Sequence, residues 1–291
     1  MDLYRVVPFK RLQQIADQSA LAFVSYRVFT DDPHEASLLQ ALTTSDGVKE
    51  VCAVLKEKGE DPATLIPLIM AARNADESAF MQCWTQTPEH NLMWERYGKE
   101  RNVEANNAVR MKMTEAGQAN LPRWVTLHEA RYEENFDIWK ELKLVTSQPQ
   151  TMSVSTVMTW SSNGANSTLF QSGIWDFRNS LTFKLKAYEH ENEIRLMTPI
   201  LNSQNVFGGK RETAPWQNFP GNPDLSLVPI GDIKNVIASI MTGPEATDEL
   251  QLEVQAFCLK HGLEYEGKSN LRTRRFTGSK KIFTADPDEN T

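Results

Sequence analysis

Lys184-Leu-Lys-Ala-Tyr188-Glu-His-Glu191-Asn-Glu193-Ile-Arg195-Leu196 places two carboxylates two residues apart, with an arginine at the next two-residue step. Leu181-Thr-Phe183 precedes the segment and Ile194, Leu196 and Met197 close it. That alternation reads as a β-strand, which sends Glu191, Glu193 and Arg195 to one face and Ile194 and Leu196 to the other, into a core. Two carboxylates on one face repel unless a cation, a ligand or a shared proton lies between them. The segment therefore predicts a sheet strand with a polar site built on it.

Outward from this strand the chain alternates short β-rich runs with amphipathic helices. Leu3 to Val7 reads as a strand, followed by a helix opened by Pro8 with Phe9, Leu12, Ile15 and Ala16 at helical spacing. Leu21 to Tyr26 is a second strand, and Asp31-Asp32-Pro33 a turn. Residues 34–82 read as helical, broken at Gly47, at Gly59 to Pro62 and at Pro67. Further strands are expected at Met81 to Thr85, Ala108 to Met113, Trp124 to Tyr132, Met152 to Trp160 and Ser226 to Ile230, with another segment from Ile233 to Met241. Asn91 to Tyr97 reads as a short helix. Thr247 to His261 reads as a core helix carrying Leu250, Leu252, Val254, Phe257, Cys258 and Leu259, closed by Gly262. The fold class expected is α+β: one domain over residues 1–283 with a mixed, mostly antiparallel central sheet flanked by helices. A polar tail, expected to be disordered, follows over 284–291.

Composition narrows the function classes. The chain has 291 residues, of which 40% are hydrophobic and 24% charged, ordinary for a globular protein. Its 31 basic residues against 38 acidic ones give a net charge of −7, which disfavours broad, nonspecific nucleic-acid binding. Arg272, Arg274, Arg275, Lys280 and Lys281 form a local basic run that reads as a solvated segment. Cys52, Cys83 and Cys258 are widely spaced and make no metal-ligand pattern. No apolar run approaches the roughly 20 residues that cross a bilayer, and no signal region opens the chain. A cytoplasmic protein with no membrane partner is expected. A Walker pattern, a nucleophile elbow and a paired-histidine metal motif are all absent, which argues against a kinase, an NTPase and a serine hydrolase.

Several of these features, in order, resemble a bacterial family known as domain of unknown function 2971. They are Tyr4-Arg5, Asp31-Asp32-Pro33 with Glu35, the Trp94-Glu-Arg-Tyr97 helix, Lys184 with Glu191, Glu193 and Arg195, and Gly243-Pro244. The resemblance spans residue 3 to about 276. Tyr188 stands where that family usually has tryptophan, Asp31 where it usually has asparagine, and residues 141–176 look like an insertion.

Three kinds of chemistry fit the residues. An early strand arginine, a middle Ser/Thr strand and a late Glu-x-Glu strand are similar in order to the ADP-ribosyltransferases, which implies NAD as cofactor. Arg5 would then pair with the cofactor diphosphate. Ser155 or Thr156 would shape the nicotinamide pocket, and Tyr4, Trp94 or Tyr97 would stack on a ring. Glu193 would stabilise an oxocarbenium-like ribose, Glu191 would orient or deprotonate an acceptor, and Arg195 would complete the cofactor site. The acceptor, protein or nucleic acid, is left open, and the setting suggested is a toxin or phage-defence effector. Alternatively, Asp32, Glu35, Glu191 and Glu193 would hold Mg²⁺ for a nuclease or phosphodiesterase, with Lys184 or Arg195 at the phosphate. The third possibility is a binding or regulatory protein in which Glu191, Glu193, Arg195, Arg5 and Lys184 form a structural ladder. Trp94 and Tyr97 share a helix face, which suits a core better than a ligand platform.

Overall fold

Leu3, Val7, Phe23, Trp84, Val109, Met111, Ile194 and Leu196 alternate along five strands and meet in one apolar core. A computed structural model describes residues 1–28, 37–97, 107–146, 149–161, 164–175, 177–198, 217–218 and 222–271. Strand β1 (Leu3–Pro8) leads through helix α1 (Phe9–Gln18) into β2 (Ala20–Ser25). Three helices follow, α2 (Ser37–Thr43), α3 (Ser45–Glu57) and α4 (Leu65–Ser78), before β3 (Phe80–Thr85). Next come α5 (Asn91–Tyr97), β4 (Ala108–Met113), α6 (Glu115–Ala119), β5 (Thr126–Glu129), β6 (Arg131–Glu133) and α7 (Ile138–Thr146). The antiparallel pair β7 (Pro149–Ser161) and β8 (Gly164–Trp175) precedes β9 (Phe183–Leu185) and β10 (Glu193–Met197). Last are β11 (Gln217–Asn218), β12 (Leu225–Pro229), β13 (Ser239–Thr242), α8 (Asp248–His261) and β14 (Glu264–Lys268).

Ten strands form the central sheet in the order β11-β12-β2-β3-β1-β4-β13-β14, with β10 and then β5 joined to β3. Its pairings are antiparallel apart from the parallel β13–β14 pair, so the sheet is mixed and mostly antiparallel, as the sequence predicts. One face is covered by α1, through Phe9, Leu12 and Ile15, and by α8, through Leu250, Val254 and Cys258. On the other face Met81 and Met197 pack with Leu38, Leu39, Leu42, Val51, Leu55, Leu68, Ala72, Leu142 and Val145 from α2, α3, α4 and α7. Helix α5 adds Met93 and Trp94 against Val6 and Ala108.

Strand β3 has an unusual edge. Met81 pairs with Val24 on one side and Met197 on the other; Thr85 pairs with Tyr4 on one side and Glu193 on the other. Because β10 runs along one edge at both positions, β1 and β2 must share the opposite edge, each holding one end of it. Among the described residues no strand pairs with Gln82, Cys83 and Trp84 there, and the sheet splits. Buried backbone polar groups need partners, and side chains serve the gap. Arg5 Nη1 donates to the Cys83 carbonyl at 2.8 Å, and Gln82 Nε2 donates to the Ala22 carbonyl at 2.9 Å.

The structure corrects several sequence expectations. Lys184 to Met197 is not one strand: β9 ends at Leu185, a 3-10 turn covers Lys186–Glu191, and Asn192 takes a left-handed φ of 43° before β10 begins. Period-two alternation thus relates Glu193 to Arg195 and leaves Glu191 out. Trp124 to Tyr132 divides into β5 and β6, and Ile233–Asn235 is a 3-10 turn ahead of β13. Leu252 and Leu259 are 67% and 86% exposed and do not belong to the core side of α8. Pro67 lies in the first turn of α4, where a missing N–H costs nothing. Gly47 lies inside α3 and breaks no helix. It is required by packing: a Cβ there would sit 2.4 Å from the Ala41 Cα and 2.5 Å from its carbonyl oxygen on α2. The Asp31-Asp32-Pro33 turn, Glu35, the run from Arg272 to Lys281 and the tail 284–291 lie outside the described residues.

Gly47→Ala is expected to lower the unfolding free energy by about 1–3 kcal/mol, because two helix backbones must separate to admit the methyl group. Urea titration measures this, and an unchanged midpoint would show that α2 and α3 move apart without cost.

Candidate functional site

The centre of the site is an ammonium group. Lys184 enters on β9, whose parallel partner β6 sets Tyr132 opposite it. The turn over Lys186–Glu191 then brings the chain back so that Glu191 and Glu193 flank the same lysine. Lys184 Nζ donates to Glu191 Oε2 at 2.6 Å and to Glu193 Oε2 at 2.5 Å. Arg195 Nε donates to the remaining Glu193 oxygen, Oε1, at 2.6 Å, and its Nη1 bonds the Leu181 carbonyl. Outside, Arg96 Nη1 donates to Glu191 Oε1 at 2.6 Å, and the Tyr97 hydroxyl lies 3.3 Å from Glu191 Oε2. The turn itself is tied down: Thr85 Oγ1 donates to the Glu191 carbonyl at 2.5 Å, and the Glu193 amide donates to the Tyr132 hydroxyl at 2.7 Å.

Lys184, Glu191, Glu193 and Arg195 are all buried, so their charges are held at low dielectric. Burial alone would push the Glu193 carboxyl up; Arg195 and Lys184 outweigh it and hold the group down at about 2. Burial would likewise lower the Lys184 ammonium, but Glu193 and Glu191 raise it above its ordinary value. Burial and the neighbouring Glu191 push the Tyr97 phenol up, and burial pushes the Tyr132 phenol up to about 12. At neutral pH Glu193 is therefore a fixed anion. It can stabilise developing positive charge, and it cannot act as a proton donor there.

A cavity of about 170 Å³ opens beside this cluster, in the split between β1 and β2. Tyr4, Arg5 and Val6 line it from β1, Val24 from β2, Cys83, Trp84 and Thr85 from β3, and Met93 and Tyr97 from α5, with Glu191 and Glu193 closing one wall. A cavity of about 150 Å³ admits a benzene ring, so this one is sized for a single ring. Its lining is aromatic or aliphatic at Tyr4, Val6, Val24, Trp84, Met93 and Tyr97, and polar at Arg5, Cys83, Thr85, Glu191 and Glu193. Burial lowers the pKa of Arg5.

The structure thus brings together Tyr4, Arg5, Tyr97, Glu191 and Glu193. Arg195 stands behind Glu193, fully buried, and positions it. Trp94 is buried with Val6, Met93 and Ala108 and does not line the cavity. Ser155 and Thr156 lie on β7, paired with Phe170 and Leu169 of β8 in a two-stranded sheet of their own, apart from the strands that form the cavity. Asp32 and Glu35 lie outside the described residues. Among those described, no group of three His, Cys, Asp or Glu side chains could hold a metal ion, and the space between Glu191 and Glu193 is taken by Lys184. Sequence reading underrated Lys184 and missed Arg96, Thr85 and Tyr132. The signal for Arg96 was its place inside the Trp94-x-x-Tyr97 helix, whose exposed edge carries it to Glu191.

No protein family, curated protein or solved structure matches this chain. No described helix is long and apolar enough to cross a membrane.

Removing the central cation alone should be far worse than removing it together with one of its acids. Lys184→Met leaves two buried carboxylates facing each other and is expected to cost about 3–5 kcal/mol, much of it recovered when Glu191→Gln is added, which leaves Glu193 paired with Arg195. Chemical denaturation of the single and double variants checks this; a double variant destabilised more than Lys184→Met would show that the charges act independently. Glu193 also makes stability depend on pH. Its folded value of about 2 lies below the ordinary 4.5, so its contribution is complete above about 4.5 and drains away as pH falls toward 2. Glu193→Gln should flatten the denaturation midpoint across that window.

Proposed function

We propose that this chain binds the nicotinamide end of NAD in the split-sheet cavity and cleaves the bond to ribose, in the manner of an ADP-ribosyltransferase or NAD glycohydrolase. The observation that carries this reading is an ionised carboxylate, Glu193, in the wall of a ring-sized, largely aromatic and aliphatic cavity. Tyr4 and Tyr97 would hold the ring by its faces or edges. Breaking the C1′–N bond sends its electron pair to the ring nitrogen, which neutralises the pyridinium and leaves an oxocarbenium on the ribose. Glu193 would stabilise that cation, and Glu191 would orient water or an acceptor whose lost proton goes to solvent. Arg5, at the cavity wall, would meet the anionic part of the ligand. The cavity is well below the roughly 300–1,000 Å³ of pockets that enclose whole drug-sized ligands, so most of the dinucleotide would extend outward past Arg96 and Tyr97.

A second reading is favoured by a different observation. Both Glu193 oxygens are engaged by cations, and Lys184 bridges the two acids. That supports a non-catalytic binding protein whose charged cluster props the cavity open.

Adding NAD at about a hundred times its Kd should stabilise the folded chain by about 2.7 kcal/mol, read as a rise in melting temperature. Incubation should release nicotinamide, detected by mass spectrometry, and a folded Glu193→Gln variant should bind without releasing it. Binding with no release from the native chain would favour the second reading; neither binding nor release sinks the NAD assignment.

A further inference from the structure

Helix α8 has two apolar faces. Leu250, Val254 and Cys258 face the sheet, whereas Leu252 is 67% exposed and Leu259 is 86% exposed, at i and i+7 on the opposite side. Ala256 lies between them and is also exposed, which makes a short stripe with a small residue at its middle. Single exposed leucines are ordinary; a second stripe aligned along one helix is a surface that fits a partner helix.

The charges beside the stripe indicate which partner. Glu249 and Glu253 flank it on one side in the N-terminal half, four residues apart, and Lys260 flanks it on the same side in the C-terminal half. Like charges at that spacing destabilise a helix by a few tenths of a kcal/mol. Among the described residues no ion pair within the chain offsets them: neither Glu249 nor Glu253 meets a cation, and Lys260 meets no carboxylate. A two-fold axis crossing the helix near Ala256 satisfies all of these at once. Leu252 of one copy then meets Leu259 of the other, and both acids of one copy face Lys260 of the other. The helix is self-complementary only when antiparallel to itself.

We propose that this chain forms a homodimer through the outer face of α8, antiparallel and centred on Ala256. The interface is isologous, as a two-fold axis requires. A helix of 14 residues is about 21 Å long, so α8 by itself buries less than the roughly 1,200–2,000 Å² of a standard stable interface, and the association is concentration-dependent and weakened by salt.

Analytical ultracentrifugation of the full chain over about 1 to 100 µM tests this. The expected result is a shift from 33.0 kDa toward twice that mass as concentration rises. The charge-neutral double variant Leu252→Gln/Leu259→Gln, with unchanged circular dichroism, should weaken association by on the order of tenfold or more. Glu249→Lys/Glu253→Lys and Lys260→Glu should each weaken it, and all three together should restore it, because the reversed charges again match across the axis. A native chain that stays monomeric throughout overturns the proposal, whether the stripe is covered by another protein or by nothing. A dimer that survives the leucine variant places the interface elsewhere and overturns it too. Failure of the full charge reversal to restore association rules out the antiparallel register.

Discussion

The Lys184 ammonium is the interaction on which the rest of the site depends. Two carboxylates separated by a single residue cannot both be buried and ionised without a cation between them, and Lys184 reaches both from another strand. Burying three charges would ordinarily be costly; here each one is hydrogen-bonded to an opposite charge, and Arg195 and Arg96 take up remaining carboxylate oxygens. The cluster therefore serves as a joint. It fixes the end of the 3-10 turn against the start of β10, and that end carries the wall of the cavity.

The cavity itself originates in the pairing of β3. One edge of this strand is filled along its length by β10, while the other is shared by β1 and β2 at its two ends. Since β1, α1 and β2 are consecutive in the chain, the divergence is local, and α1 packs its apolar side into the core. Arg5 donates to the Cys83 carbonyl in between, so the guanidinium that lines the cavity also stabilises the split that creates it.

Much of this was legible in the sequence where the periodicity was clean. β1, β2, β3, β4 and α8 fall where alternation or helical spacing put them, and the α+β class follows from them. Legibility failed where a residue's role was set by partners distant in the chain. Glu191 meets Lys184 by a turn and not by strand alternation, because Asn192 adopts a left-handed conformation that local pattern does not announce. Gly47 reads as a helix breaker but is a packing residue, since its constraint comes from Ala41 on a different helix. Leu252 and Leu259 look like core on an apolar count, yet helical geometry puts them a half-turn away from Val254. Ser155 and Thr156 lie on a long strand that, among the described residues, pairs with β8 alone, which no count of serines and threonines foretells.

The position of β3 in the chain also has a bearing on how the protein is made. Thr85 and Glu191 are 106 residues apart, and β10, which covers the far edge of β3, emerges from the ribosome only after all of that intervening chain. At synthesis rates of ~5–20 residues per second the nascent protein spends roughly ten seconds with that strand edge open. An open edge is a template for pairing with other chains, so during biosynthesis the wait for β10, and not the packing of the core, sets the interval in which this edge of β3 is exposed to misassembly.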